Sequence, residues 1–230
     1  MHIGHINSTG GTFSMRQSLA LIDSARSEGL EITACVYPYA FWAAYLNSAR
    51  YDAGWQKRFR ISSGDLQVAG SAERLTGESF KKYRNQQKLV VAYAIPEENV
   101  VEAFRSPYVM IASDAILEAG FNNHPRASGT FARVIGRYVR EQRILPLMDA
   151  LEKMTILPAR RMEHSTRVFK KKGRLSIGAD ADMVIFDYET ISDRATVEHP
   201  ERESTGVHYV IVGGMVVRDP TGNRLPVRNT

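Results

Sequence analysis

The stretch VMIASDAILEAGFNNHPRASGTFARVIGRYVRE, residues 109–141, combines an apolar strand, a polar loop and a helix. Residues 109–112 are apolar and predict a buried strand, and Asp114 follows closely after its end. His124 and Arg126 come about ten residues later, before a segment with helical spacing. In α/β folds, groups that carry chemistry collect at the carboxyl ends of strands. The stretch therefore predicts a carboxylate at a strand end and a cationic loop after it.

To about residue 165, the rest of the chain alternates between two hydrophobic patterns. Strand patterns occupy residues 2–7, 31–39, 88–95 and 108–112, and helical patterns occupy residues 15–30, 96–106, 128–142 and 144–154. Strands that alternate with helices predict parallel βαβ units. The continuous apolar run at 88–95 predicts a strand that is buried on both faces. A (β/α) barrel and a doubly wound sheet both satisfy this pattern.

The last part of the chain has a different character. Residues 173–187 and 206–219 are rich in β-forming residues and lack a helical period. The run HYVIVGGMVVR predicts a hairpin that turns at Gly213 and Gly214. We therefore expect two domains, an α/β domain over residues 1–165 and a small β-rich unit over residues 166–230.

Composition narrows the class of protein. The hydrophobic content of 43% is sufficient for a core, and no run of 18 apolar residues predicts a membrane span. The N-terminal sequence lacks the basic and apolar regions of a signal peptide. The single cysteine, Cys35, excludes an internal disulfide and favours a reducing compartment. We therefore expect a cytoplasmic protein without a membrane partner.

The net charge of +5 has a local origin. Seven basic residues lie within fifteen positions: Arg160, Arg161, Arg167, Lys170, Lys171, Lys172 and Arg174. Such a run can bind nucleic acid. A solvated basic loop is the commoner reason for it, and Phe169 is its one aromatic residue. Nucleic acid is therefore not the expected partner.

The polar residues near the predicted strand ends are candidates for a metal site. His5 follows the first strand, Cys35 and Tyr37 lie at the end of the second, and Asp114 follows the last. Imidazole and carboxylate groups both suit zinc, which lowers the pKa of a bound water to about 7. A carboxylate beside that water is also a candidate general base.

Each candidate also has a structural interpretation. His5 is compatible with a surface position, and Asp114 with a cap on a helix that starts near Ala115. His124 and Arg126 are compatible with a solvated loop. Cys35 is more typical of a buried, apolar-like residue than of a ligand. The residues alone leave these alternatives open.

Several blocks together resemble the D-aminoacylases, the N-acyl-D-amino-acid deacylases of the amidohydrolase superfamily. The longest are GTFARVIGRYVRE (129–141) and GRLSIGADADMVIFD (173–187), and HIGHINSTGG (2–11), GLEITACVYPY (29–39) and VMIASD (109–114) support them. The resemblance implies a zinc-dependent (β/α) barrel followed by a small β-sandwich. It also implies hydrolysis of the linear amide bond of a small N-acyl amino acid.

The resemblance further implies roles for five residues. His5 would be a metal ligand, and Asp114 would contact the metal and transfer a proton to and from the hydrolytic water. Arg126 would hold the free carboxylate of the substrate, since a guanidinium binds a carboxylate through two hydrogen bonds. His124 and Tyr37 would line the same substrate site.

The chain resembles only the later half of that family, from about the fifth barrel strand to the eighth. The His-x-His pair with which the family's barrel opens does not occur in this sequence. A half barrel leaves open strand edges, which need a partner. We expect either an upstream polypeptide that supplies the other half or a homo-oligomer. The alternative is a non-catalytic remnant or an assembly partner of a split enzyme.

Overall fold

The structure is a computed structural model, and it describes residues 1–115 and 123–222. The chain divides into two compact units. The first contains Met1–Thr130 and Arg194–Glu203, and the second contains Phe131–Asp193 and Ser204–Thr230. The predicted boundary between domains at residue 165 stays a prediction.

The secondary structure of the described residues is mixed α/β. The strands are β1 (His2–Ile3), β2 (Thr33–Val36), β3 (Trp42–Tyr45), β4 (Leu66–Val68), β5 (Leu89–Ala92), β6 (Val109–Ile111), β7 (Met183–Phe186), β8 (Val207–Val212) and β9 (Met215–Arg218). The helices are α1 (Met15–Ser27), α2 (Trp55–Phe59), α3 (Gly77–Asn85), α4 (Glu97–Arg105), α5 (Arg126–Arg133), α6 (Leu147–Met154) and α7 (Ile156–Glu163). Residues Val134–Glu141 continue α5 as a π-helix, and short 3₁₀ turns include Ile6–Ser8.

A parallel sheet in the order β1-β2-β6 forms the centre of the first unit. Ala34 of β2 pairs with Ile3 on one side and with Val109 on the other. All three residues of β6 are buried, as the apolar run predicts. Because the three strands are parallel, their carboxyl ends lie along one edge of the sheet. This edge carries the residues that follow β1, β2 and β6.

The predicted α1 is confirmed, and its sequence explains its boundaries. Met15, Leu19 and Ile22 are buried, while Leu21 on the opposite face is exposed. Gly29 adopts a φ of +90° after the last turn, a conformation that costs glycine little. The helix α4 is also confirmed, and Pro96 lies at its N-cap.

The prediction of parallel pairing for residues 88–95 is wrong. The strand β5 is fully buried, as expected, but it pairs antiparallel with β3 on one side and β4 on the other. A continuous apolar strand indicates burial on both faces and leaves strand direction undetermined. Direction depends here on β3 and β4, neither of which was predicted. Within the described residues the strands form three separate three-stranded sheets, and none of them closes into a barrel.

The second unit contains the π-helix, α6, α7 and the sheet β7-β8-β9. Gly136 permits a close approach, because a Cβ at this position would lie 2.6 Å from the carbonyl oxygen of Ile191. Ala132, Ile135 and Ile191 form a small buried cluster. The predicted hairpin is confirmed: β8 and β9 pair antiparallel across Gly213 and Gly214, whose φ angles are +57° and +82°.

The helices in the described part of the chain are too short and too polar to cross a bilayer.

Candidate active site

The predicted site residues follow the ends of neighbouring parallel strands. His5 comes two residues after β1, Tyr37 directly after β2, and Asp114 three residues after β6. His5 and Asp114 both adopt left-handed backbone conformations, with φ of +33° and +48°. Non-glycine residues seldom take this conformation, and those that do are often part of functional sites. The sheet edge therefore carries two conformationally unusual polar residues.

Cys35 connects His5 with Asp114. The backbone N–H of His5 donates to the Cys35 Sγ at 3.2 Å. Burial raises the pKa of the Cys35 thiol, the His5 N–H opposes this effect, and the nearby Asp114 carboxylate raises the pKa further. Electrostatic effects of this kind require short separations. The structure therefore places His5 in contact with Cys35, and the Asp114 carboxylate near enough to affect the same thiol.

Arg126 contacts Asp114 through two different atoms. Its Nη2 forms an ion pair with the Asp114 Oδ2 at 2.9 Å, and its Nε donates to the Asp114 backbone oxygen at 2.7 Å. The Arg126 side chain is only 3% exposed, while that of Asp114 is 32% exposed. Asp114, the candidate acid/base, and Arg126, the candidate carboxylate-binding residue, are therefore bound to each other.

Tyr37 lies beneath this ion pair. The Arg126 guanidinium stands over the Tyr37 ring at 4.7 Å, a favourable cation–π distance. Burial raises the pKa of Tyr37 to about 12, although the positive charge of Arg126 opposes the increase. The Tyr37 hydroxyl lies near Ser8 but has hydrogen-bond geometry to no residue that the structure describes. A buried hydroxyl without a partner is unusual and is available to a ligand.

His124 fixes the loop that carries Arg126. Its Nδ1 accepts a hydrogen bond from the Arg126 backbone N–H at 3.0 Å, so the proton lies on Nε2, which donates to the Phe41 carbonyl at 3.2 Å. The ring is fully buried and stacks on Phe41. The geometry supports a role in positioning Arg126, and the substrate-binding role of His124 stays a prediction.

His5 keeps one ring nitrogen available. Its Nδ1 shares a hydrogen bond with the Ser8 Oγ at 3.1 Å, while its Nε2 has no hydrogen-bond partner among the described residues. The side chain is half-buried and follows the sheet edge. An oriented imidazole with one free nitrogen suits a metal ligand, and this role also stays a prediction.

The described residues do not make a complete zinc site. A structural or catalytic zinc needs at least three protein ligands. Across residues 1–115 and 123–222, no group of three His, Cys, Asp or Glu side chains is arranged to hold a metal ion. His5 and Asp114 would provide part of a shell, but the Asp114 carboxylate is already paired with Arg126. Zinc therefore fits these residues only incompletely.

Two residues near the site were missed in the sequence analysis. Asn7 is fully buried, and its side chain donates to the Tyr37 carbonyl at 3.1 Å. Arg50 donates from both terminal nitrogens to the Ser8 carbonyl at 3.2 and 3.3 Å. Asn7 directly follows His5 and Ile6, so a buried asparagine there was detectable in principle. Arg50 lies in a segment without a distinctive pattern, and only tertiary structure brings it to Ser8.

The basic segment is partly neutralised by its own neighbours. Lys172 pairs with Asp180 at 3.0 Å and also with Asp182, and Arg174 pairs with Glu163. The Arg160 Nη1 lies 3.7 Å from Glu152. These pairs reduce the positive charge that would face a polyanion. They support the interpretation of this segment as a solvated basic loop.

Comparisons with known proteins identify relatives of this chain. A profile described as the amidohydrolase family matches residues 99–218. The N-acyl-D-glutamate deacylase of Alcaligenes xylosoxydans xylosoxydans is 36% identical over 206 residues, which are 87% of this chain and 41% of that protein.

Solved structures show the same relationship. The N-acyl-D-glutamate deacylase from Bordetella bronchiseptica, complexed with zinc and a phosphonate mimic of the tetrahedral intermediate, superposes with a TM-score of 0.76 at 31% identity. The match covers 97% of this chain and 48% of that one. A D-aminoacylase structure superposes with a TM-score of 0.78 at 26% identity, covering 96% and 47%.

The mixed α/β fold, the polar residues at its strand ends and these matches define the class as amidohydrolase. Within that class, the chain belongs to the D-aminoacylase and N-acyl-D-amino-acid deacylase family. It spans about half the length of these relatives, between 41% and 48%. The resemblance inferred from the sequence is thus confirmed.

Proposed function

We propose that this chain provides the proton-transfer and carboxylate-binding half of an amidohydrolase site that cleaves N-acyl-D-amino acids. The observation that carries the proposal is the contact between Asp114 and Arg126 after β6, at the same sheet edge that His5 follows from β1. In this proposal β1, β2 and β6 are later strands of a (β/α) barrel, and residues 166–230 are part of a β-sandwich. The parallel order β1-β2-β6 supports that assignment.

The reaction assigns one chemical task to each group. The Asp114 carboxylate accepts a proton from water as the water oxygen bonds to the acyl carbon. The proton then passes to the amide nitrogen as the C–N bond breaks, which releases a carboxylic acid and a D-amino acid. Arg126 binds the substrate carboxylate, and the Tyr37 hydroxyl donates to it. His124 fixes the Arg126 backbone throughout.

Zinc and a protein partner are part of the proposal. In the relative from Bordetella bronchiseptica zinc is bound together with the inhibitor. In this chain zinc would contact His5 and Asp114, and it would need ligands beyond the described residues. We propose that a companion polypeptide or a second copy of the chain supplies them. No step above is assigned to the metal, because the described ligand set is incomplete.

The second candidate function is a non-catalytic subunit. The observation that favours it is the same ion pair, because Arg126 and Asp114 neutralise each other while the metal ligands among the described residues remain too few. In this case the chain would retain the geometry of a hydrolase without turnover. The two functions make opposite predictions for hydrolysis.

The deciding experiment measures release of D-amino acid from N-acetyl-D-glutamate, N-acetyl-D-aspartate and N-acetyl-D-methionine in the presence of zinc. The full chain is assayed alone and mixed with the amino-terminal half of the Alcaligenes N-acyl-D-glutamate deacylase. We expect hydrolysis that Asp114→Asn lowers by about 10²-fold or more, since general acid–base catalysis contributes that much.

The matched control is Asp193→Asn, because Asp193 also pairs with a largely buried arginine, Arg133, at 2.9 Å. This control should retain hydrolysis. Absence of product in every arm would reject the hydrolase and favour the non-catalytic subunit. Product that survives in Asp114→Asn would remove Asp114 from its proposed role.

A further inference from the structure

The position of Arg126 raises a question about how a substrate reaches it. Its side chain is almost entirely buried, and the more exposed member of the pair is Asp114. Among the described residues that contact the guanidinium, Asp114 is therefore a partner that lies nearer to solvent. An incoming carboxylate would therefore meet Arg126 by taking the place of the Asp114 side chain.

We propose that Asp114 is an internal competitor that occupies the substrate-carboxylate site of Arg126 until a carboxylate ligand displaces it. In the unliganded chain the Asp114 carboxylate fills the site. When the ligand binds, its carboxylate takes over the guanidinium, and the Asp114 side chain becomes free to act on water. This inference rests on the proposed carboxylate-binding role of Arg126, and it couples the arrival of substrate to the release of the acid/base.

In this proposal the guanidinium stays in place during the exchange, and the surroundings of Arg126 favour that. Its backbone N–H is bound to His124, and its carbonyl accepts a hydrogen bond from the Thr130 Oγ1 at 2.7 Å. The guanidinium also stands over the Tyr37 ring. The exchange is therefore a movement of the Asp114 side chain, which lies closer to solvent.

The Tyr37 hydroxyl supplies a second, independent indication of a ligand. It is fully buried next to the guanidinium, and although the Ser8 hydroxyl lies near it, no residue in the described part of the chain has hydrogen-bond geometry to it. The Asp114 carboxylate does not satisfy it. A ligand carboxylate has two oxygens, so it can accept from Arg126 and from Tyr37 together. In this proposal an external carboxylate makes both contacts, whereas the Asp114 carboxylate leaves the Tyr37 hydroxyl without a hydrogen-bond partner among the residues that the structure describes.

The test measures binding without turnover. Isothermal titration calorimetry in EDTA, with the full chain, compares N-acetyl-D-alanine with its uncharged amide, N-acetyl-D-alaninamide. The variant is Asp114→Asn, because asparagine tolerates the left-handed φ of +48° at this position. It removes the competing charge and leaves the backbone contact to Arg126.

The expected result is an affinity for N-acetyl-D-alanine about tenfold higher in Asp114→Asn than in the wild type. An internal ligand that occupies a site nine-tenths of the time lowers apparent affinity by about that factor. The amide should show no gain. Arg126→Lys should lose binding, because a lysine does not reproduce a two-donor contact. Asp193→Asn should bind as the wild type does.

Equal or weaker binding in Asp114→Asn, or no binding in any variant, would overturn the proposal. Thermal unfolding of each variant identifies any loss of fold. Tyr37→Phe gives an independent check, because it should bind N-acetyl-D-alanine severalfold more weakly. Binding is measured in EDTA, without metal, so it is independent of turnover. If Asp114→Asn binds more tightly but the hydrolysis assay with zinc gives no product, the proposed activity is rejected and the competition by Asp114 stands. If the chain hydrolyses substrate but Asp114→Asn shows no gain in affinity, the competition by Asp114 is rejected and the proposed activity stands.

Discussion

Two of the three sheets that the described residues form differ in how far their strands are buried. In the parallel sheet β1-β2-β6, the residues of β6 are buried, and so is Val36 at the end of β2. In the sheet β7-β8-β9, none of the strand residues is fully buried, and Ile185 is 49% exposed. Both sheets are rich in Val and Ile. The difference shows that β propensity produces strands in both places, whereas burial is supplied in only one.

This comparison also explains where the candidate site lies. Asp114 follows a buried strand, so its backbone is anchored on one side by β6 and on the other by Arg126. The hairpin β8–β9 depends instead on strand pairing and on its turn. A rigid support is what a site that moves protons requires. The buried sheet is therefore the expected location of chemistry.

The largest expected effect comes from truncating matched isoleucines in the two sheets. Ile111→Ala in β6 should lower the free energy of unfolding by about 3 kcal/mol, because Ile111 is 3% exposed. Ile185→Ala in β7 should change it by less than about 1 kcal/mol. Urea unfolding followed by tryptophan fluorescence suits the first unit, which contains Trp42 and Trp55, and circular dichroism suits the second. Equal losses of unfolding free energy in the two variants would contradict the expected difference between the sheets.

A smaller effect should appear at high pH in the buried region. The folded-state pKa of Tyr37 is about 12, above its ordinary value of 10, so the unfolded chain loses this proton first. Stability from Tyr37 is therefore complete below pH 10 and declines as the pH rises from 10 to 12, by up to about 2–3 kcal/mol. Tyr37→Phe should flatten this decline in urea unfolding curves. Tyr51, whose burial also raises its pKa to about 12, causes a similar decline, which the double variant with Tyr51→Phe should remove.

The smallest effect tests the exposed sheet. Gly213 has a φ of +57°, and no neighbouring atom of the described residues lies within 4 Å of the point that a Cβ would occupy, so Gly213→Ala introduces backbone strain without a clash among them. We expect a loss of about 1 kcal/mol, measured as faster amide exchange in β8 and β9. Gly213→Asn should lose less, since asparagine tolerates this conformation. An unchanged exchange rate in Gly213→Ala would indicate that the turn does not hold the hairpin.

Much of the fold was predictable from local patterns. The helix α1, the strand β6 and the hairpin β8–β9 follow from hydrophobic spacing and from glycine positions. The antiparallel pairing of β5 was not predictable, because an apolar run carries no information about direction. The π-helical continuation of α5 also had no signal in the sequence, and within it Gly136 allows the approach of Ile191.

The sequence suggested the members of the candidate site, whose roles stay predictions, but it did not suggest their contacts. The order of residues indicated Asp114, Arg126 and His5, because they follow apolar strands or their loops. It did not indicate that Arg126 would bind Asp114, or that His124 would use both ring nitrogens on backbone groups. Those contacts depend on where separate segments meet in space.

The amino-acid sequence by itself determined the family and most of the strands and helices, because local propensity and residue order carry that information. Only tertiary structure decided the partner of each polar group. The buried Arg126 needs a counter-charge, and within the described residues Asp114 provides one. The cost of leaving a buried charge unpaired is the physical reason for this contact. The sequence suggested Asp114 and Arg126 separately, and the tertiary structure joins them in one ion pair.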